Sequence, residues 1–279
     1  MTKETGTFSM LSDAELSRLI AREAGAKLLE LRESFGIIDP ADRVRADRLR
    51  TEGDREAQNL LAAALMEHRP DDAILSEEAD DDDRRLTAER VWIVDPLDGT
   101  WEFGQSREDF AVHVALWHAT SQTLSACTVD LPAQGMTRSV LDDVSEPGAL
   151  PGDRPLRVVA SRTRPPASLG AAIEILSRRL ADSGVCSAGV DIIDVGSVGA
   201  KVNAILSGRA EAYVHDTGFY EWDVAAPYGV ARHYGYEASH VDGRPVTFNQ
   251  MPPFVRDLVV SHPIIAADLR ASLAQAARP

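Results

Sequence analysis

Cysteine is nearly absent. Cys127 and Cys186 are the only two in 279 residues. That excludes a disulfide framework or a cysteine-rich metal cluster and leaves two reduced, buried thiols as the expectation. Basic charge is also scarce. Lys and Arg total 29 against 44 Asp and Glu, a formal charge of -15. So acidic a surface repels nucleic acid polymers and anionic membranes, and neither is expected as a partner. A small anionic substrate stays open if cations neutralise its site locally. Long apolar runs are missing as well. The stretch 91–94 is typical, whereas a bilayer span needs about 20 residues. The opening MTKETGTFSM has neither the apolar core nor the cleavage pattern of a secretory signal, so a cytoplasmic location is expected. What remains is an ordinary globular balance, 44% hydrophobic and 26% charged. It suits one large domain or two smaller ones sharing a core.

Periodicity then orders the chain. Ser12 with Glu15 forms a capping box. Leu16, Leu19, Ile20, Ala24, Leu28 and Leu31 predict one apolar helix face ending at Gly36. A second helix is predicted over about 52–68, stopped by Pro70. AILSEE reads as a short strand ending in acid, and the run 80–83 as a solvated loop. RVWIVD is continuously apolar, the mark of a central strand. In DFAVHVALW, Phe110, Val112, Val114 and Leu116 alternate with Ala111, His113, Ala115 and Trp117, and 109–141 reads as an antiparallel meander. His113 in that pattern reads as a satisfied sheet residue. The Pro- and Gly-rich 145–155 is the candidate junction. Beyond it, strands LRVVAS, AEAYVH and DLVVS alternate with helices at 165–181, SVGAKVNAILSG and 222–234. Pro227 is tolerable only near the first turn of the last of these, and Pro263 opens a final helix. The fold class expected is α/β, with an α+β N-terminal half (10–145) and an α/β C-terminal half (155–279).

The stretch WIVDPLDGTWEF, 92–103, carries the chemistry. A rigid strand delivers Asp95 and Asp98 into a turn. Pro96 fixes one backbone angle, and Gly99 permits tight turning and close approach. The amides after Gly99 could hold an anion. Hard divalent cations take oxygen ligands, and paired ions use bridging carboxylates for in-line phosphoryl displacement. Asp-Pro and Asp-Gly are also common turn dipeptides, so the stretch alone could be only a turn. Glu77-Glu78 at a strand end and Asp223 at a helix start add to it. Neither a Ser/His/Asp nor a Cys/His arrangement is visible.

Asp54, Glu77-Glu78, the run from Asp95 to Thr100 (Asp-Pro-Leu-Asp-Gly-Thr), and Trp222-Asp223-Val224-Ala225-Ala226 stand in an order that resembles the inositol monophosphatase family of Mg²⁺-dependent, lithium-sensitive phosphatases. The resemblance implies a layered α/β/α/β/α sandwich and two to three Mg²⁺. It implies Glu77, Asp95 and the Leu97 carbonyl at a first metal, Asp95, Asp98 and Asp223 at a second, and a weaker third ion near Glu77. Thr100 with Asp54 would orient the attacking water, and the Gly99 and Thr100 amides would hold the phosphate. Glu102-Phe103 and the Ser-Arg of VVASRTRPP resemble the CysQ branch, which acts on 3'-phosphoadenosine 5'-phosphate in sulfate assimilation, with Arg164 where that branch has His. Ser161, Arg162, Ser197, Lys201 and Glu221 become substrate-contact candidates. A guanidinium such as Arg162 suits a second phosphate. Trp101 could stack on a base. Gly235-Tyr236, the Asp54 segment and TVDLPAQG depart from the family pattern. Inositol monophosphatase or fructose 1,6-bisphosphatase activity on the same site is the alternative. A catalytically silent nucleotide or metal sensor is a further one. A monomer or homodimer is expected.

Overall fold

The computed structural model describes residues 11–39, 41–144, 146–162 and 165–277. The N-terminal decapeptide, Ser145 and Arg164 therefore lie outside the described residues. Helix α1 (Asp13–Phe35) starts at the expected capping box. Its Glu15 amide donates to the Ser12 hydroxyl, and the Ser12 amide to the Glu15 carboxylate. Helix α2 (Arg43–His68) begins well before residue 52. Asp42 caps it, and buried Ala46 and Leu49 carry the apolar face across Gly53. Strands β1 (Ala73–Ser76), β2 (Arg90–Asp98), β3 (Ala111–His118), β4 (Thr123–Leu131) and β5 (Met136–Ser139) form one sheet in sequential order. β1 and β2 are parallel and the remaining pairs antiparallel. The short helix α3 (Thr100–Gly104) follows β2 directly.

The second sheet has the order β10-β12-β8-β6-β7. It comprises β6 (Leu156–Ser161), β7 (Val190–Val195), β8 (Ala212–His215), β10 (Glu237–Ser239) and β12 (Leu258–Ser261). A two-stranded ribbon pairs β9 (Phe219–Tyr220) with β11 (Phe254–Val255). The helices here are α4 (Leu169–Asp182), α5 (Val198–Leu206), α6 (Glu221–His233) and α7 (Pro263–Ala276). β7 escaped the sequence reading because none of its residues is buried and they give no alternation. α4 starts four residues later than expected, leaving Pro165 and Pro166 outside it, since the residue before a proline avoids helical backbone angles. Pro227 sits in the interior of α6, contrary to the expectation of a first-turn position. Its helix holds because Val224, Ala225, Ala226, Pro227 and Tyr228 are all buried, and packing outweighs the roughly 3 kcal/mol cost of an interior proline.

Alternation on β3 explains the layers. Phe110, Val112, Val114 and Leu116 face α1 and α2 in one core. Ala111, Ala115 and Trp117 face the opposite way into a second core that also takes α5, α6 and the inner face of the second sheet. A third core lies between that sheet and α4 and α7. The result is the α/β/α/β/α sandwich, with residues of both sheets in its central core.

Candidate active site

Residues three apart in a regular strand point to opposite faces. Asp95 pairs with His113 and Asp98 with Ala111, so β2 inserts one extra residue against β3. That bulge turns both aspartates to one face, toward the central core. The expected turn is thus a bulge inside a strand, because pairing continues to Asp98 and the chain turns only at Gly99. Gly99 has φ 87°, and a β-carbon there would stand 2.9 Å from that of Ser197. α5 comes equally close at Gly199, where a β-carbon would meet His113 Nε2 at 2.5 Å. This approach lets the Gly199 amide donate to Asp98 Oδ2 at 2.9 Å.

Asp223 arrives from the first turn of α6, its Oδ2 accepting from the Tyr220 amide at 2.8 Å. One oxygen each of Asp95, Asp98 and Asp223 lies within 4.8 Å of the others. Asp95 is fully buried. Its Oδ1 accepts from the Leu97 amide at 3.0 Å, while its Oδ2 has no hydrogen-bond donor among the described residues. Burial, then Glu77, Asp98 and Asp223, push its carboxyl well above the ordinary range. Glu77 is accessible in the turn after β1. Dense surroundings, then Asp54, Glu78 and Asp98, still push its carboxyl up to about 7. Asp54, on α2, rises to about 7 through burial and Glu78. A converging set of oxygen donors, one of them orphaned and all crowded by like charge, is what a hard divalent cation fits. Thr100 Oγ1 donates to the Leu97 carbonyl at 3.2 Å. His113, read from sequence as a sheet residue, lies behind the trio. Its Nε2 is 3.2 Å from Asp98 Oδ2, and its Nδ1 is 3.3 Å from the Trp222 carbonyl.

A cleft of about 250 Å³ opens beside the trio. Asp98, Gly99, Thr100 and Asp223 line it from the metal side, and Ser161, Arg162, Ser197 and Lys201 from the other. Each cation candidate is already engaged. Arg162 donates to Asp194 (2.7 Å), Glu102 (3.1 Å) and Asp109 (3.1 Å). Lys201 is 5% exposed and donates to the Gly196 carbonyl, and burial lowers its pKa against the pull of Asp98 and Glu102. Ser197 caps α5, accepting from the Ala200 amide at 3.0 Å. Glu221 is not brought to the cleft, which corrects its reading as a substrate contact. It is fully buried, and its two oxygens accept from the Asn249 and Gln250 amides. The sequence reading also missed Tyr213, His215 and Phe219 on the cleft wall. The alternation in AYVH places Tyr213 and His215 on one face of β8, a signal available in sequence.

Comparison with known proteins agrees with this geometry. Residues 13–277 match the model of the inositol monophosphatase family. The chain is 42% identical over 266 residues to a 3'-phosphoadenosine 5'-phosphate phosphatase of Mycobacterium leprae, covering 92% of this chain and 91% of that protein. It is 25% identical over 243 residues to the 3'(2'),5'-bisphosphate nucleotidase CysQ of Escherichia coli, covering 85% and 94%. The crystal structure of CysQ from Bacteroides thetaiotaomicron, 25% identical, superposes with a TM-score of 0.70 over 91% of this chain and 98% of that one. Family match, five-layer fold and acidic trio agree, and the chain belongs to the inositol monophosphatase family.

Proposed function

We propose that the chain is a Mg²⁺-dependent phosphomonoesterase that hydrolyses 3'-phosphoadenosine 5'-phosphate to AMP and phosphate. The observation that carries this reading is the cluster of Asp95, Asp98 and Asp223 beside a cleft, with one buried Asp95 oxygen lacking a donor among the described residues. The relative named for that substrate supports the choice of ester. Asp95, Asp98 and Asp223 would hold one cation, and Glu77, Asp95 and the Leu97 carbonyl another. Bound Mg²⁺, in two or three ions, supplies the positive charge that offsets these carboxylates and acidifies a water.

The chain's own groups do the rest. Asp54 and Thr100 stand beside the carboxylates to orient water and take its proton. The Gly99 and Thr100 amides, at the start of α3, have no carbonyl of that helix to satisfy them and can donate to phosphate oxygens. The cleft is slightly smaller than the roughly 300–1,000 Å³ of sites that enclose a drug-sized ligand. A nucleoside would therefore extend past it to the rim, where Trp101 is 49% exposed and offers a stacking face. Ser161, Ser197 and Lys201 line the far wall. A cytoplasmic monomer or homodimer completes the reading. No described helix is long and apolar enough to cross a membrane.

The engagement of Arg162 by three carboxylates favours a second reading, with single-phosphate esters such as inositol phosphates as substrates. Phosphate release from 3'-phosphoadenosine 5'-phosphate, inositol 1-phosphate and fructose 1,6-bisphosphate, compared as kcat/KM, separates the two. A preference of about 100-fold for the nucleotide, or 2.7 kcal/mol of differential transition-state binding, upholds the first. Parity or reversal upholds the second.

A further inference from the structure

Arg85 is fully buried although it stands in an acidic surface loop. Its Nε and Nη2 donate to the two oxygens of Asp81 at 2.6 and 2.8 Å. Its Nη1 donates to Asn249 Oδ1 at 2.7 Å, and Nη2 also to the Gln250 carbonyl at 2.9 Å. Asn249 Nδ2 donates back to the Arg85 carbonyl at 3.0 Å. The main-chain amides of Asn249 and Gln250 donate in turn to the Glu221 carboxylate at 2.5 and 2.7 Å. The Glu221 amide donates to the Pro253 carbonyl at 3.0 Å, next to the β9–β11 ribbon. One hydrogen-bonded chain thus runs from the loop between β1 and β2, through segment 249–253, to the first residue of α6.

Those two ends carry opposite sides of the acidic trio. Asp95 and Asp98 belong to β2, which begins at Arg90, shortly after Arg85. Asp223 belongs to the first turn of α6, beside Glu221. The three carboxylates repel one another, so their mutual approach has to be enforced from outside. Ligand geometry that must be held to tenths of an ångström is set by such supporting hydrogen bonds. We infer that Arg85 and Glu221 are positioning residues, joined through Asn249 into a brace that holds the start of α6 against β2 and so sets the spacing of Asp223 from Asp95 and Asp98. Neither needs to touch substrate. A guanidinium suits the role, since its planar fork grips Asp81 with two bonds and still reaches Asn249.

The inference rests on the reading of the trio as a cation site, not on the choice of ester. Its test is Mn²⁺ binding by calorimetry on the full chain, with melting temperature measured alongside. Arg85→Met and Asn249→Ala should weaken Mn²⁺ binding about 10–100-fold, as loss of groups behind metal ligands does. Arg85→Lys, which keeps the charge but loses the fork, should fall between them and wild type. The control is Arg154→Met, which removes a half-buried arginine from Glu211 in the second half, away from the trio. It should lower melting temperature and leave Mn²⁺ affinity unchanged. If Arg85→Met is too unstable to purify, Asn249→Ala and Glu221→Gln carry the test. Wild-type affinity in these variants, or an equal loss in Arg154→Met, overturns the brace. Failure of the wild type itself to bind Mn²⁺ overturns the cation site and the brace together. A wild type that binds Mn²⁺ but prefers another ester leaves the brace standing and sinks only the substrate assignment.

Discussion

The two walls of the cleft hold charge in opposite ways. On the metal side, Asp95, Asp98 and Asp223 crowd together with an oxygen left without a donor. On the far side, Arg162 meets three carboxylates, and Lys201 bonds a carbonyl. The first wall gathers carboxylates alone, whereas the cations of the second are already partnered. An unsatisfied buried charge costs several kcal/mol unless paired, so the metal wall stores a demand for a ligand and the arginine wall stores none. The difference separates a cluster of carboxylates from a wall whose arginine first of all joins neighbouring segments. Glu102 lies on α3 and Asp109 in the loop after it, Arg162 follows β6, and Asp194 lies on β7.

The largest expected effect tests the metal wall. Asp98→Asn removes one charge of the trio and keeps the side chain's shape. Turnover should fall by about a thousandfold, the loss of roughly 4 kcal/mol of transition-state stabilisation, with circular dichroism unchanged. Full activity would end the view of that wall as a cation site. Metal removal comes next. Chelated protein should be inactive, and returning Mg²⁺ at about 100 times its Kd should stabilise the fold by about 2.7 kcal/mol. That is read as a rise in denaturation midpoint, and an unchanged midpoint would break the contrast between the walls. Lithium at millimolar level should then inhibit by competing with Mg²⁺, with relief as Mg²⁺ is raised. Insensitivity would set this site apart from the family pattern.

Arg162→Met probes the opposite wall. Were Arg162 a phosphate contact, kcat/KM would fall for the bisphosphate nucleotide and not for inositol 1-phosphate. As a clamp between β7 and the α3 segment, its loss should cost stability by about 1–3 kcal/mol and shift both substrates alike. The smallest effect concerns Asp130, a buried carboxyl outside the acidic trio. It lies against Gly25 of α1 and accepts from Thr137 Oγ1 at 2.6 Å. Burial raises its pKa to about 6, above the ordinary 3.8. Its protonated form is favoured on folding, so its contribution is complete below about pH 4 and lost as pH rises through 6. Asp130→Asn should remove that slope. The stability difference between wild type and variant should change by on the order of 2 kcal/mol between pH 4 and 7. A constant difference would show that Asp130 does not titrate in this window.

Whatever depends on near neighbours in the chain was legible in the sequence. The Ser12–Glu15 box, the alternation on β3, the stop at Gly36 and the position of Pro263 each rest on contacts a few residues apart. The carboxylates Asp95 and Asp98 were legible for the same reason, and Asp223, which the structure brings to them, through its order along the chain. Where a side chain ends up depends on what packs against it from far away, and the tertiary structure alone decided that. It turned Glu221 inward onto Asn249 and Gln250, engaged Arg162 with partners from three segments, and set His113 behind Asp98. It also carried α6 through Pro227, since burial between two sheets outweighs a local propensity. Periodicity reports which face a residue occupies, while charge pairing and hydrogen bonding across the central core determine what that residue is left free to do.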